Sequence, residues 1–200
     1  MSTRAERQAM TREALVATAR TLFLHDGYGA TSLDRVALEA GFSKGAVYSN
    51  FKSKEELGLA VLDEIHQEMV AEVVGAVGVA TTYDDAINAF DGWLKVRLGQ
   101  PRWTALEVEF AAVVRTSPFV ATELAARHVQ IREAIAAMLL EIQRRTGMRL
   151  ALPADQVALA LLSLGIGMGA QRSLDPSLDV HAFTATIRSL LLPPSAADAS

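Results

Sequence analysis

The chain contains no cysteine among its 200 residues. That absence excludes a disulfide framework, thiolate catalysis and zinc–thiolate sites together, and it suits the reducing cytoplasm, the compartment expected here. Aromatic residues make up 6% of the chain and proline occurs six times. The opening "MSTRAERQAMTREALV" lacks the continuous apolar stretch of a secretory leader. The most apolar run, "VALALLSLGIGMGA" at 157–170, falls short of the roughly 20 residues that span a bilayer, so no membrane partner is expected. No Ser/His/Asp set, paired carboxylates or phosphate loop is recognisable, and His25, His66, His128 and His181 are scattered. An enzyme, a cofactor and a metal are therefore not expected. "DEIHQE" places Asp63, Glu64 and His66 close in sequence but not on one helix face, and it reads as a solvated surface.

What is present favours helices. Half of the residues are apolar, and alanine and leucine, the strongest helix formers, dominate them. Leu15, Ala19, Leu22 and Phe23 in "TREALVATARTLFLHDG" follow a helical period and end at Gly27. Thr31 or Ser32 caps a second helix over about 32–40, with Leu33, Val36, Ala37 and Ala40 inward and Gly41 as terminator. Ser43 caps a short third helix over 43–50. Ser53 with Glu56 has the capping-box spacing and opens a fourth, running to about Val79. Helices follow near 83–98, from Pro101, from Pro118 behind Ser117 to Gly147, and over about 156–171 and 180–192; the tail "PPSAADAS" is expected to fray. The prediction is an all-α chain of about nine helices without sustained strand alternation. It divides into an N-terminal three-helix head at 1–56 and a helical-bundle body at 57–200, with the boundary inside helix four.

Net charge is −4, yet it is unevenly spread. Residues 1–54 hold eight Lys/Arg against five Asp/Glu, a balance of +3, and the remainder holds eleven against eighteen, or −7. A small basic head on an acidic body points to a polyanionic partner. Helix two, a glycine turn and helix three have the proportions of a helix-turn-helix, whose second helix enters the major groove of double-stranded DNA. Val47 and Phe51 can anchor helix three against Val36 and Ala37. Gly45 and Ala46 carry little side chain and let a duplex approach. Lys44 can donate to guanine or phosphate, and Asn50 can pair with adenine or bind backbone. Thr31, Ser32, Tyr48 and Lys54 are the types that grip phosphates, with Ser43 at a helix start.

Taken together, "GYGATSLDRVALEAGFSKGAVYSNFKSKEEL" makes residues 10–57 resemble the DNA-binding head of the TetR family of bacterial transcription regulators. The resemblance implies a homodimeric, all-helical regulator with a ligand-binding body that engages operator DNA. By the same resemblance Lys44, Gly45 and Ala46 are base-proximal, and Tyr48, Asn50 and Lys54 are backbone-proximal. Beyond about residue 60 it rests on helix layout alone.

In the body, "GIGMG" (165–169) follows no strand, so close helix packing explains it better than a phosphate loop. The helix around 156–171 is apolar nearly all round, and with that at 180–192 it is expected to form a two-fold dimer interface. Trp103, Phe110 and Glu107 share one helix stripe, His128 and Met138 another, and Phe90 and Trp93 precede them. Such residues suit the walls of a cavity for a small, mostly apolar effector, which would release a repressor from its operator. Two alternatives use the same composition: a body that binds a protein partner and no small ligand, and a helical-bundle enzyme.

Overall fold

The computed structural model describes residues 3–97, 102–114 and 117–195. Its elements are α1 (Arg4–Asp26), α2 (Leu33–Glu39), α3 (Lys44–Asn50), α4 (Lys54–Val77), α5 (Tyr83–Arg97), α6 (Arg102–Val114) and α7 (Pro118–Thr146). They continue with β1 (Arg149–Leu150), α8 (Ala154–Leu174), α9 (His181–Leu190) and β2 (Leu191–Leu192). The all-α class holds. Pro101, expected to open α6, and the last residues of the tail lie outside the described residues, as does the side chain of Trp103.

Local capping chemistry explains where the helices begin. Thr3 and Glu6 form a reciprocal capping box that starts α1 at Arg4, well before its first buried residue, Leu15. Ser32, Ser43 and Ser117 accept from Arg35 N, Ala46 N and Val120 N at 3.2, 3.2 and 3.4 Å. At α4 the box is offset. Ser53 Oγ accepts from Glu56 N at 3.2 Å, but the Glu56 carboxylate accepts from Lys52 N, at 2.8 Å, rather than from Ser53.

By packing, the chain forms two units: Met1–Ile65 with Ala105–Ala125, and His66–Thr104 with Ala126–Ser200. In the first unit α1, α2 and α3 pack on one another around Leu15, Ala19, Val36, Val47 and Phe51, each fully buried. A tight turn sets α3 against α2. Phe42 N donates to Ala37 O at 2.9 Å and Gly41 N to Leu38 O at 3.1 Å, with Gly41 at φ +73°. This paired pattern closes a helix by a left-handed residue, a conformation that disfavours any side chain. Tyr28 sits between Phe23 and Phe110, with ring centroids 5.1 and 5.0 Å away in edge-to-face geometry. Gly58 makes room for them, since a Cβ there would overlap the Phe110 ring and stand 3.0 Å from Tyr28 Cε2.

The second unit has its own core, including Ile87, Leu94, Leu139, Ile142, Val157, Leu161, Phe183 and Ile187. Thr184 Oγ1 on α9 donates to Asp91 Oδ1 on α5 at 2.8 Å. β1 and β2 pair antiparallel, Arg149 opposite Leu192 and Leu150 opposite Leu191. At two residues each, these strands are too short for any alternation to register in the sequence. Within "GIGMG", Gly169 is the close-packing position, because a Cβ would overlap Thr104. Gly165 and Gly167 face open space. α8 itself runs 21 residues with a mean hydropathy of 1.3 in its most apolar window, of which 22% is buried. By length and composition alone it is long and apolar enough to cross a membrane, a test that the core helices of soluble proteins also pass.

Candidate nucleic-acid interface

α3 has an inner and an outer side. Val47 and Phe51 are both 0% exposed, while Tyr48 is 55% exposed and Ser43, Lys44, Gly45 and Ser49 are also exposed. At Gly45 an added Cβ would meet Ser43 Oγ alone, at 3.8 Å, an ordinary contact. The head's own packing therefore gives no reason for a glycine there. Ser32 and Ser43 stand exposed at the starts of the two helices, their hydroxyls accepting amide protons as caps.

Other expected residues are engaged within the head. Thr31 is 1% exposed, and its hydroxyl donates to Gly27 O at 3.0 Å, so it fastens the turn before α2 while Ser32 faces outward. Half-buried Asn50 donates from Nδ2 to Ala46 O at 2.8 Å, and its Oδ1 is enclosed. Its amide is thus folded back onto α3 rather than extended toward a base edge. The Lys54 ammonium donates to Gly29 O at 3.2 Å and lies 4.2 Å over the Tyr28 ring; burial holds its pKa below the usual lysine value. Lys44 is exposed but paired, its Nζ 2.5 Å from Asp34 Oδ2, and this hydrogen bond raises its pKa. Arg35 pairs with Asp26 at 2.8 Å.

Two supporting residues escaped the sequence reading. Arg12 on α1 donates to Asn50 O at 3.1 Å and lies 4.2 Å over the Phe51 ring, clamping the end of α3. Glu109 on α6 accepts from Gly29 N at 3.2 Å. Both depend on partners distant in sequence, with no local signature.

Residues 15–61 match the model of the bacterial regulatory proteins of the tetR family. The chain is 30% identical over 113 residues to the HTH-type transcriptional repressor AcnR of Corynebacterium diphtheriae, covering 55% of this chain and 53% of AcnR. It is 39% identical over 78 residues to the HTH-type transcriptional activator FasR of Mycolicibacterium smegmatis, covering 39% of this chain and 36% of FasR. The chain carries a TetR-family N-terminal segment. It thus spans about half of the first relative's length and about a third of the second's. The fold agrees along most of the chain: the reduced form of E. coli NemR superposes with a TM-score of 0.75 at 20% identity, covering 92% of this chain and 99% of that one. The matched TetR segment contains all of α2 and α3, the turn between them and the start of α4.

The residues expected to line an effector cavity are divided between the two units. Phe90, Trp93 and Met138 are half-buried against the core of the second unit, with Phe90 and Trp93 rings 5.7 Å apart. Trp93 Nε1 donates to Glu72 Oε2 at 3.3 Å, and Arg97 Nε donates to the same oxygen at 2.5 Å. His128 is half-buried on α7 of that unit. Phe110 belongs to the first unit instead, 0% exposed against Tyr28, and Glu107 lies half-exposed on the same helix. Phe110 packs in the first unit, where Gly58 leaves a slot that its ring fills.

Proposed function

We propose that the chain is a cytoplasmic DNA-binding transcriptional regulator, with residues 1–56 reading the operator and 57–200 serving dimerisation and effector binding. The observation that carries this reading is the two-sidedness of α3: Val47 and Phe51 fully buried, with Lys44, Gly45 and Tyr48 open to solvent. A seven-residue helix so mounted suits the major groove, where its first residues meet base edges. Lys44 donates to guanine O6 and N7, and the hydroxyls of Ser32, Ser43 and Tyr48 address phosphates. Thr31 and Lys54 support this surface from within.

Two such heads are needed to reach half-sites about 34–36 Å apart or a multiple of that. A homodimer through α8 and α9 supplies them. Leu159 at 51% exposed, with Gly165 and Gly167 facing open space, supports a second copy packing closely on α8. Repression follows the analogy with AcnR. The half-buried Phe90, Trp93 and Met138, with Glu72 as a polar anchor, support an apolar effector that favours a non-binding arrangement. A coupling of about 1–3 kcal/mol changes operator affinity roughly 5–150-fold, and operator must weaken effector binding by the same factor.

The deciding experiment selects duplexes from a random pool and titrates the enriched sequence at several salt concentrations. Enrichment of a two-fold symmetric site, bound with a steep salt dependence, is the expected result. Failure to enrich any sequence would refute the reading.

A further inference from the structure

In the free head, Lys44 is already occupied. Asp34 stands in the first turn of α2 and Lys44 opens α3, so their 2.5 Å contact bridges the two helices of the helix-turn-helix on its solvent side. Their side chains are 47% and 69% exposed, so the pair can open without disturbing the core. Arg35 and Arg12 also have internal acceptors, Asp26 and the Asn50 carbonyl. Lys44 differs because its acceptor is a carboxylate that must itself come close to any duplex the lysine touches.

A carboxylate beside DNA has opposite effects on different sequences. Binding to arbitrary DNA comes from neutralising phosphates and releasing their counterions. A lysine already neutralised by Asp34 contributes nothing to that release, and the carboxylate is repelled by the phosphates. A guanine edge offers two acceptors in fixed positions, a directed replacement for the lost carboxylate. We propose that Asp34 is a specificity-determining residue, holding Lys44 in reserve so that a matching base edge draws it out and a bare phosphate backbone does not. This rests on the DNA-binding reading above. Asp34 acts through Lys44 and makes no base contact of its own.

The test compares the wild-type protein, Asp34→Asn and Asp34→Glu on the selected site and on a scrambled duplex of equal length, by fluorescence anisotropy across a salt series. Asp34→Asn should bind the scrambled duplex about fivefold more tightly per head, the scale of an exposed ion pair. Its log–log salt slope there should steepen by about 0.9 per head. Affinity for the selected site should change less than the scrambled affinity does, so the ratio of the two falls. Asp34→Glu, which keeps the charge, should retain most of the ratio. An unchanged ratio in Asp34→Asn overturns the proposal. So does a loss of affinity confined to the selected site, because Asp34 would then be accepting from a cytosine amine. A wild-type protein that binds no duplex would sink the DNA-binding reading as well, which separates the two failures. Matching thermal melts of the three proteins ensure that the comparison is between folded heads.

Discussion

Gly45→Ala separates stability from binding at one position. Gly45 is the second residue of α3, its φ is not in the left-handed region, and an added Cβ would touch nothing closer than Ser43 Oγ at 3.8 Å. Alanine should therefore fit without strain and restrict the unfolded chain. A gain of about 0.4–1 kcal/mol is expected. For a chain of this size that corresponds to a rise of about 1–4 °C in Tm by thermal melting. On the outward side the result reverses. If a duplex approaches the α3 backbone, the new methyl intrudes on a close fit, and overpacking of that kind costs about 1–3 kcal/mol. Operator affinity measured by anisotropy should fall at least about fivefold. Unchanged affinity with raised Tm would refute close approach at Gly45. A lowered Tm would refute the packing described for the first turn of α3.

Three further outcomes follow from the same geometry. Gly58→Ala should destabilise the protein by about 1–3 kcal/mol in urea unfolding, because the methyl collides with Phe110 and crowds Tyr28; an unchanged midpoint would show that the slot relaxes freely. Hydrogen bonds from Lys95 and Thr184 hold the Asp91 carboxyl below its usual pKa. Its stabilising contribution is thus present above the unfolded value of about 4 and lost as pH falls through the native one. Asp91→Asn should flatten that part of the acid-stability profile, and a superimposable profile would count against it. Leu159→Glu, placing a charge on the exposed side of α8, should give monomers by sedimentation equilibrium while leaving the helical circular dichroism intact; a persistent dimer would move the interface elsewhere.

Most helix starts were legible because capping is local. Ser32, Ser43 and Ser117 each act within three residues of themselves, so spacing alone reveals them. The start of α1 was missed although "TRAE" carries the same signature. Residues 3–10 are all exposed, so apolar periodicity, which depends on burial, begins only later. The outward side of α3 could be read from the burial of Val47 and Phe51. The commitments of Thr31 and Lys54 could not, since each is settled by a carbonyl in the turn after α1. Phe110 shows the limit most clearly. Its stripe on α6 looks like a body surface, and its contact with Tyr28 is created by tertiary packing that no window of sequence contains.

The shortness of α3 governs how the protein would fail. Seven residues make about two turns, far below the length at which a helix persists alone in water. Its order is lent by the Arg12 clamp and by the seats of Val47 and Phe51. Heat, truncation of α1 or a cavity beneath the head would therefore dissolve the reading surface without altering one residue on it. Loss of recognition would track melting of the first unit, even where the rest of the chain stayed helical.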